Sequence, residues 1–360
     1  MIYLNNIEQP FWLFLFTYKL LFAIINSVIL MNIDLNNTEK ISNDEYGTVY
    51  FIPPNERLGY KCGFSLYIPK DCSLDTTLLV HACNTGKGAV TLNDALDDAK
   101  KMSAGDYHIE LGKNLHIPVL TPIIPRVKGC YTHFYGSDIF NNTFSGLNNY
   151  SESSDEKNKI KEMCTNLHEQ VANMIKSSKK ILKILSINVE DKVIIEGFSA
   201  GSKFANGFTA LHPELIKACI CGGNSGIGIL PTKTANYPLG FKNIDDNNMR
   251  LFFSIPQLYY IGENDINDPA KVSSISKNGL MHPFYNECYT DNEVTFIHSI
   301  LGENNMERFN NLREIYNSYS NFTFKKIKGG HKVDMDLILE YINSHIKNSK
   351  TFDSEDTKIL

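Results

Sequence analysis

Several protein classes are excluded by what this sequence lacks. It has no long basic run, and a formal charge of -5 with a pI near 6.1 leaves no electrostatic footprint for a phosphate backbone, so nucleic acid is not the expected partner. It has no HExxH and no glycine-rich phosphate loop, which removes support for a metal hydrolase or a nucleotide enzyme. No CxxC pair occurs among its eight cysteines, Cys62, Cys72, Cys83, Cys130, Cys164, Cys219, Cys221 and Cys288. A chain of 360 residues buries enough core to need no staples, so these read as reduced core residues. Cys219 and Cys221 fall on one face of an expected strand, but no His or Cys partner lies near them in sequence, and they too read as core. Nothing in the sequence calls for a metal or a cofactor.

The composition that remains, 42% hydrophobic and 21% charged, is that of a soluble globular protein and not of a disordered or multi-span membrane chain. One local exception is the apolar run from Phe11 to Met31, whose length matches the roughly 20 residues an α-helix needs to cross a bilayer. Lys19 interrupts it, no basic residue precedes it, and no small-residue cleavage site follows it, so it does not fit a secretory signal. The expected organisation is an N-terminal apolar segment and linker over 1–40, a catalytic domain over 41–350 and a polar tail over 351–360. The segment is read either as a membrane contact through 11–31, leaving the rest cytoplasmic by the positive-inside tendency, or as sequence upstream of a true start at Met31.

From Gly59 onward, apolar runs alternate with amphipathic stretches, the pattern of a mainly parallel sheet covered by helices. Strands are expected at Gly63–Pro69, Thr76–Cys83, Ile117–Pro125, Lys192–Ser199, Ile216–Gly223, Gln257–Gly262 and Phe322–Ile327, and a helix at Leu92–Met102. Asn141–Lys159 reads as a loop. Ile160, Met163, Leu167, Val171, Met174, Ile181 and Leu185 share one helical face and predict one long helix. A helical stretch to about Tyr319 and a closing helix over Val333–Ile346 complete the reading.

Gly197-Phe198-Ser199-Ala200-Gly201 is a GxSxG pentapeptide, with an apolar strand before it and a helix after it. That context forces a sharp reversal at Ser199 and exposes its hydroxyl at the carboxyl edge of the sheet, beside a helix N-terminus that favours developing negative charge. A serine hydroxyl needs a base, and the base needs an orienting carboxylate. Asp265 follows strand Gln257–Gly262, and His331 follows strand Phe322–Ile327 after two glycines, so both fall on loops at strand carboxyl ends. The rivals are Asp268 and Glu263 for the acid, and for the base His282 and His298, within an insertion, and His345, inside the closing helix. Two oxyanion donors are expected, the backbone N–H groups of Ala200 and Cys83. His81 reads as support for the loop that carries Cys83. Tyr131, His133 and Tyr135 are candidates for lining the acyl pocket, although ordinary loop packing accounts for them equally well.

With these residues in order, the chain resembles the α/β-hydrolase superfamily from about Gly59 to the closing helix. GFSLYIPK, LLVHAC and PVLTPIIPR are similar to the opening of esterases of the polyhydroxybutyrate depolymerase and feruloyl esterase type. The resemblance implies Ser199 as nucleophile, Asp265 as acid, His331 as base and a small-molecule ester as substrate. Where that type usually has glycine after the histidine, this chain has Ala82, which bears on the second oxyanion donor. The expected fold is α/β, an α/β-hydrolase with lid-like insertions at about Ser225–Pro256 and Pro269–Tyr319. The alternatives are an amide or peptide hydrolase with the same triad, or a catalytically inactive hydrolase-like binding protein.

Overall fold

The computed structural model describes residues 38–82, 89–127, 147, 153–268, 270, 289 and 291–352. Among them, eleven strands and nine α-helices alternate along the chain. The strands are β1 Glu39–Asn43, β2 Gly47–Ile52, β3 Phe64–Pro69, β4 Asp75–Thr76, β5 Leu79–Ala82, β6 Val119–Pro122, β7 Asn188–Val189, β8 Val193–Phe198, β9 Ile216–Gly222, β10 Gln257–Gly262 and β11 Phe322–Ile327. The helices are α1 Leu92–Met102, α2 Tyr107–Leu115, α3 Ser154–Cys164, α4 Leu167–Ile184, α5 Ala200–Leu211, α6 Asp246–Ser254, α7 Asp291–Leu301, α8 Asn305–Tyr316 and α9 Met335–Phe352.

Nine strands form one sheet in the order β1-β2-β3-β6-β5-β8-β9-β10-β11. Pairing is antiparallel from β1 through β3 to β6 and parallel from β6 to β11. The central parallel strands are apolar along most of their length because helices cover both faces: Leu79, Val80, Ile194, Ile195, Cys219, Ile220, Leu258 and Ile261 are fully buried. Their carboxyl ends all point to one edge, where side chains from different strands can converge.

Most expected strands and the helix at Leu92–Met102 are present, with three differences in the helices. The long helix predicted from Ile160 to Leu185 is two helices, broken at Thr165, which is extended, and Asn166, which is left-handed at φ 51°. The periodicity crosses the break without a signal because the step from Met163 to Leu167 still suits one face. Leu185 is half exposed and ends the second helix instead of packing under it. Of the expected loop over Asn141–Lys159, the stretch from Ser154 on belongs to α3, whose N-cap Ser153 accepts from Glu156 N, the first half of a capping box; residues 141–146 and 148–152 lie outside the described residues. Helix α2 escaped the reading because Gly112 sits inside it; a Cβ there would come within 2.5 Å of Val119 Cγ2, so glycine is needed for the helix to approach the sheet.

The edge hairpin β1–β2 lies ahead of Gly59, before the expected start of the sheet; β1, EKISN, is polar, but β2, GTVYFI, is an apolar run. The sheet therefore starts at Glu39, and α9 runs to Phe352. The insertion Ser225–Pro256, expected to be lid-like, is packed through much of its length, with Ile227, Ile229, Tyr237, Phe241 and Phe252 at most 2% exposed. Shortening it would remove packed side chains and destabilise the fold. The apolar run 11–31 and the tail beyond residue 352 lie outside the described residues. Among the described residues no helix is long and apolar enough to cross a membrane.

Candidate active site

Strand β8 enters the site through Glu196, Gly197 and Phe198, and Ser199 reverses the chain with φ 58° and ψ -119°. A non-glycine residue at positive φ is strained, and such strain persists only where its surroundings over-determine it. Two glycines do so here. A Cβ on Gly197 would lie 2.2 Å from Gly201 O, and a Cβ on Gly201 would lie 1.9 Å from Ala82 O. Both contacts are to backbone, so nothing flexible can yield, and helix α5 can start this close to β5 and β8 only with glycine at both positions. Ser199 N donates to Gly222 O at 2.8 Å, which ties the turn to β9. The Ser199 hydroxyl makes no capping bond to α5 and so is not engaged in holding the turn. Gly201→Ala is expected to abolish soluble expression or drop Tm by many degrees, because the added Cβ would meet the Ala82 main chain, which cannot rotate away. Thermal unfolding of the purified variant checks it, and a native Tm would contradict the packing described here.

Asp265 and His331 meet at the adjacent strand ends. His331 Nδ1 lies 2.8 Å from Asp265 Oδ2, with the aspartate side chain 1% exposed and the histidine side chain 26% exposed. Asp265 is held from three sides: its Oδ1 accepts from Asn267 N at 2.9 Å, its N donates to Gly262 O, and its carbonyl accepts from Asn305 Nδ2. The His331 ring packs on Phe198, the neighbour of Ser199, at 4.7 Å between centroids. The other ring nitrogen, Nε2, lies 3.1 Å from Asn267 Nδ2. An amide N–H can only donate, so Nε2 carries the lone pair and Nδ1 the proton given to Asp265. Sequence reasoning did not find Asn267. Its signal would have been its place two residues after the acid, on the same turn.

The rivals lie elsewhere. Asp268 Oδ1 accepts from Arg308 Nη2 at 2.6 Å, a pair 7% and 0% exposed, and from Ala270 N. Glu263 is exposed at the strand end. His298 Nε2 is bonded to Ala270 O, and His345 bonds back to Tyr341 O within α9. Ala200 is buried at the start of α5. Cys83, Tyr131, His133, Tyr135 and His282 lie outside the described residues.

Beneath the site, Glu196 is fully buried, accepting from Tyr107 OH at 2.6 Å and sitting 2.8 Å from His81 Nδ1. His81 stacks on His108 at 4.2 Å. His81 thus braces the end of β5, two residues before Cys83 in sequence. Burial holds the His108 imidazole well below its ordinary pKa, so it stays neutral in the fold. The unfolded chain takes up that proton as pH falls below about 6.5, so this residue destabilises the fold progressively below that pH and has no effect above it. His108→Gln should flatten the acid limb of a stability-against-pH curve measured by urea unfolding. An unchanged limb would contradict this.

No known sequence family and no curated protein matches this chain. Among solved structures it is similar to LpqC, a poly(3-hydroxybutyrate) depolymerase from Bordetella parapertussis, with a TM-score of 0.51 and 13% identity over 87% of this chain and 91% of that one. It is also similar to poly(aspartic acid) hydrolase-1 from Sphingomonas sp. KT-1, with a TM-score of 0.45 and 14% identity over 86% and 98%. An acetyl xylan esterase from Aspergillus awamori follows, with a TM-score of 0.42 and 13% identity over 82% and 99%. The first likeness, with the strand order above, establishes the α/β-hydrolase fold for this chain.

Proposed function

We propose that this protein is a serine hydrolase that cleaves a carboxylic ester through an acyl-enzyme intermediate. The observation that carries the proposal is the strained Ser199 turn, locked by Gly197 and Gly201, beside a buried Asp265 bonded to the proton-bearing nitrogen of His331. In this reading Ser199 Oγ attacks the ester carbonyl and His331 Nε2 takes its proton. The same nitrogen returns the proton to the leaving alcohol, and water then repeats the sequence to free the acid. Asp265 holds the tautomer and offsets the imidazolium charge. The N–H groups of Ala200 and Cys83 receive the oxyanion. Asn267 occupies Nε2 in the resting site and must yield that position to the Ser199 hydroxyl on the way to reaction. Tyr131, His133 and Tyr135 are proposed to line the acyl pocket. The ester preference draws on the depolymerase likeness reported above and on the opening run GFSLYIPK.

The proposal is tested with p-nitrophenyl esters of graded acyl length against matched p-nitroanilides. Ester turnover with one preferred acyl length, and kcat/KM for esters orders of magnitude above that for anilides, is expected. Anilide turnover at a comparable rate would make the chain an amidase instead, and no turnover of either would favour a binding protein on this fold.

A further inference from the structure

At the other end of the helix that Ser199 begins, a second group of titratable side chains converges. His212 caps the C-terminus of α5, about 20 Å from Ser199 by helical rise. His168 and Glu169 stand in the first turn of α4, immediately after the break at Asn166. His212 Nε2 lies 2.9 Å from His168 Nδ1, and Glu169 Oε1 lies 4.0 Å from His168 Nδ1 and 3.9 Å from His212 Nε2. Both histidines are buried, at 9% and 8% exposure, while the Glu169 side chain is 56% exposed. Three donor atoms thus form a small triangle, closed by protein on one side and open to water on the other.

We propose that His168 Nδ1, His212 Nε2 and Glu169 Oε1 bind a divalent transition-metal ion, zinc being the best fit, with water completing a tetrahedron. Zinc takes imidazole nitrogen and carboxylate oxygen at about 2.0–2.2 Å, which places ligand atoms about 3.3 Å apart. The observed edges bracket that value, so the ion enters if the histidines part by a few tenths of an ångström while Glu169, on a solvent-exposed side chain, closes in. An outer carboxylate is also in place. Glu214 Oε1 lies 3.4 Å from His212 Nδ1, the carboxylate–imidazole arrangement that keeps the proton on Nδ1 and the lone pair of Nε2 on the metal side. In the metal-free pair His168 Nδ1 then donates to His212 Nε2. On binding, that proton shifts to His168 Nε2, so the two neutral imidazoles become ligands without a change in their net charge. The carbonyl end of α5 favours a cation, and the Glu169 carboxylate offsets the opposing dipole of α4.

The geometry separates this cluster from the other grouping of histidines and carboxylate, His81, Asp106 and His108. There the imidazole planes are 7° apart and stacked, so their lone pairs lie in parallel planes that no single ion shares. The His168 and His212 rings are tilted by 36° with nitrogens facing each other. An ion here would clamp α4 to α5 and stabilise the fold without touching the Ser199 chemistry. The helix break at Asn166 is what brings His168 and Glu169 to this position.

Calorimetric titration of the full chain with ZnCl2, and Co2+ absorption spectra, test the proposal independently of any ester turnover. Saturable 1:1 binding is expected, with a Tm rise on zinc that EDTA reverses and cobalt visible bands of tetrahedral strength without a thiolate charge-transfer band. His212→Gln should weaken zinc roughly 100-fold, and Glu214→Gln about 10-fold or more, through the outer contact. Glu169→Gln, an exposed and structurally mild change, should also weaken zinc and leave the metal-free Tm unaltered. No saturable binding would overturn the proposal, leaving a proton-sharing imidazole pair. Binding with equal affinity in His212→Gln and Glu169→Gln, or a thiolate band, would place the ion elsewhere and overturn it equally.

Discussion

Ser199→Ala is expected to lower kcat/KM on a short-chain aryl ester by roughly 10⁴-fold to 10⁶-fold, the loss typical when one member of a cooperating triad is removed. The change removes one oxygen from a half-buried position and leaves the Gly197 and Gly201 contacts intact, so Tm should stay within a degree or two. His331→Ala should cost a similar factor, and the double variant little more than either, because each residue acts only through the other. Steady-state kinetics on the three variants checks this. Retention of most activity by Ser199→Ala would remove Ser199 from the chemistry.

Asp265→Asn and Asp268→Asn should fail in different ways. The first change sets an amide against His331 Nδ1; a donating NH2 there favours the tautomer with the proton on Nε2, where the ring cannot act as base. A loss of roughly 10⁴-fold in kcat follows. Asp268→Asn leaves the tautomer untouched but removes the counter-charge of the Arg308 guanidinium, which is fully buried and keeps only neutral acceptors, Ser225 O, Glu303 O and Asn305 Oδ1 among them. Removing one partner of a buried ion pair costs about 3 kcal/mol or more. The variant should therefore unfold at lower temperature while its folded fraction keeps near-normal kcat. Paired kinetic and thermal measurements separate the two. An inactive but stable Asp268→Asn, or an active Asp265→Asn, would reverse the roles of the two carboxylates.

What the sequence made legible follows the physical strength of each signal. β8 and β10 are largely apolar runs ending in turn residues, and their bounds are visible because parallel strands buried on both faces carry few polar interruptions. The Gly-Phe-Ser-Ala-Gly turn was legible because its backbone tolerates so few residue types. The break at Asn166 was not, since an i, i+4 step joins the apolar faces on either side of it. In the hairpin β1–β2 only β1, with its exposed edge positions, leaves no hydrophobic trace; β2, GTVYFI, is an apolar run that could have been read as strand. The pairing of Asp268 with Arg308, separated by 40 residues, and the meeting of His168 with His212 are tertiary contacts for which local spacing offers no cue. Asn267 stands two residues after the acid, but its amide reaches His331 only once β10 and β11 lie side by side.

The central claim, that Ser199 is an activated nucleophile, is tested most directly by labelling the intact protein with a fluorophosphonate probe and mapping the modified peptide by mass spectrometry. One tag is expected, on Ser199, absent from Ser199→Ala and strongly slowed in His331→Ala. No covalent labelling, or a tag that persists on another residue in Ser199→Ala, would contradict it.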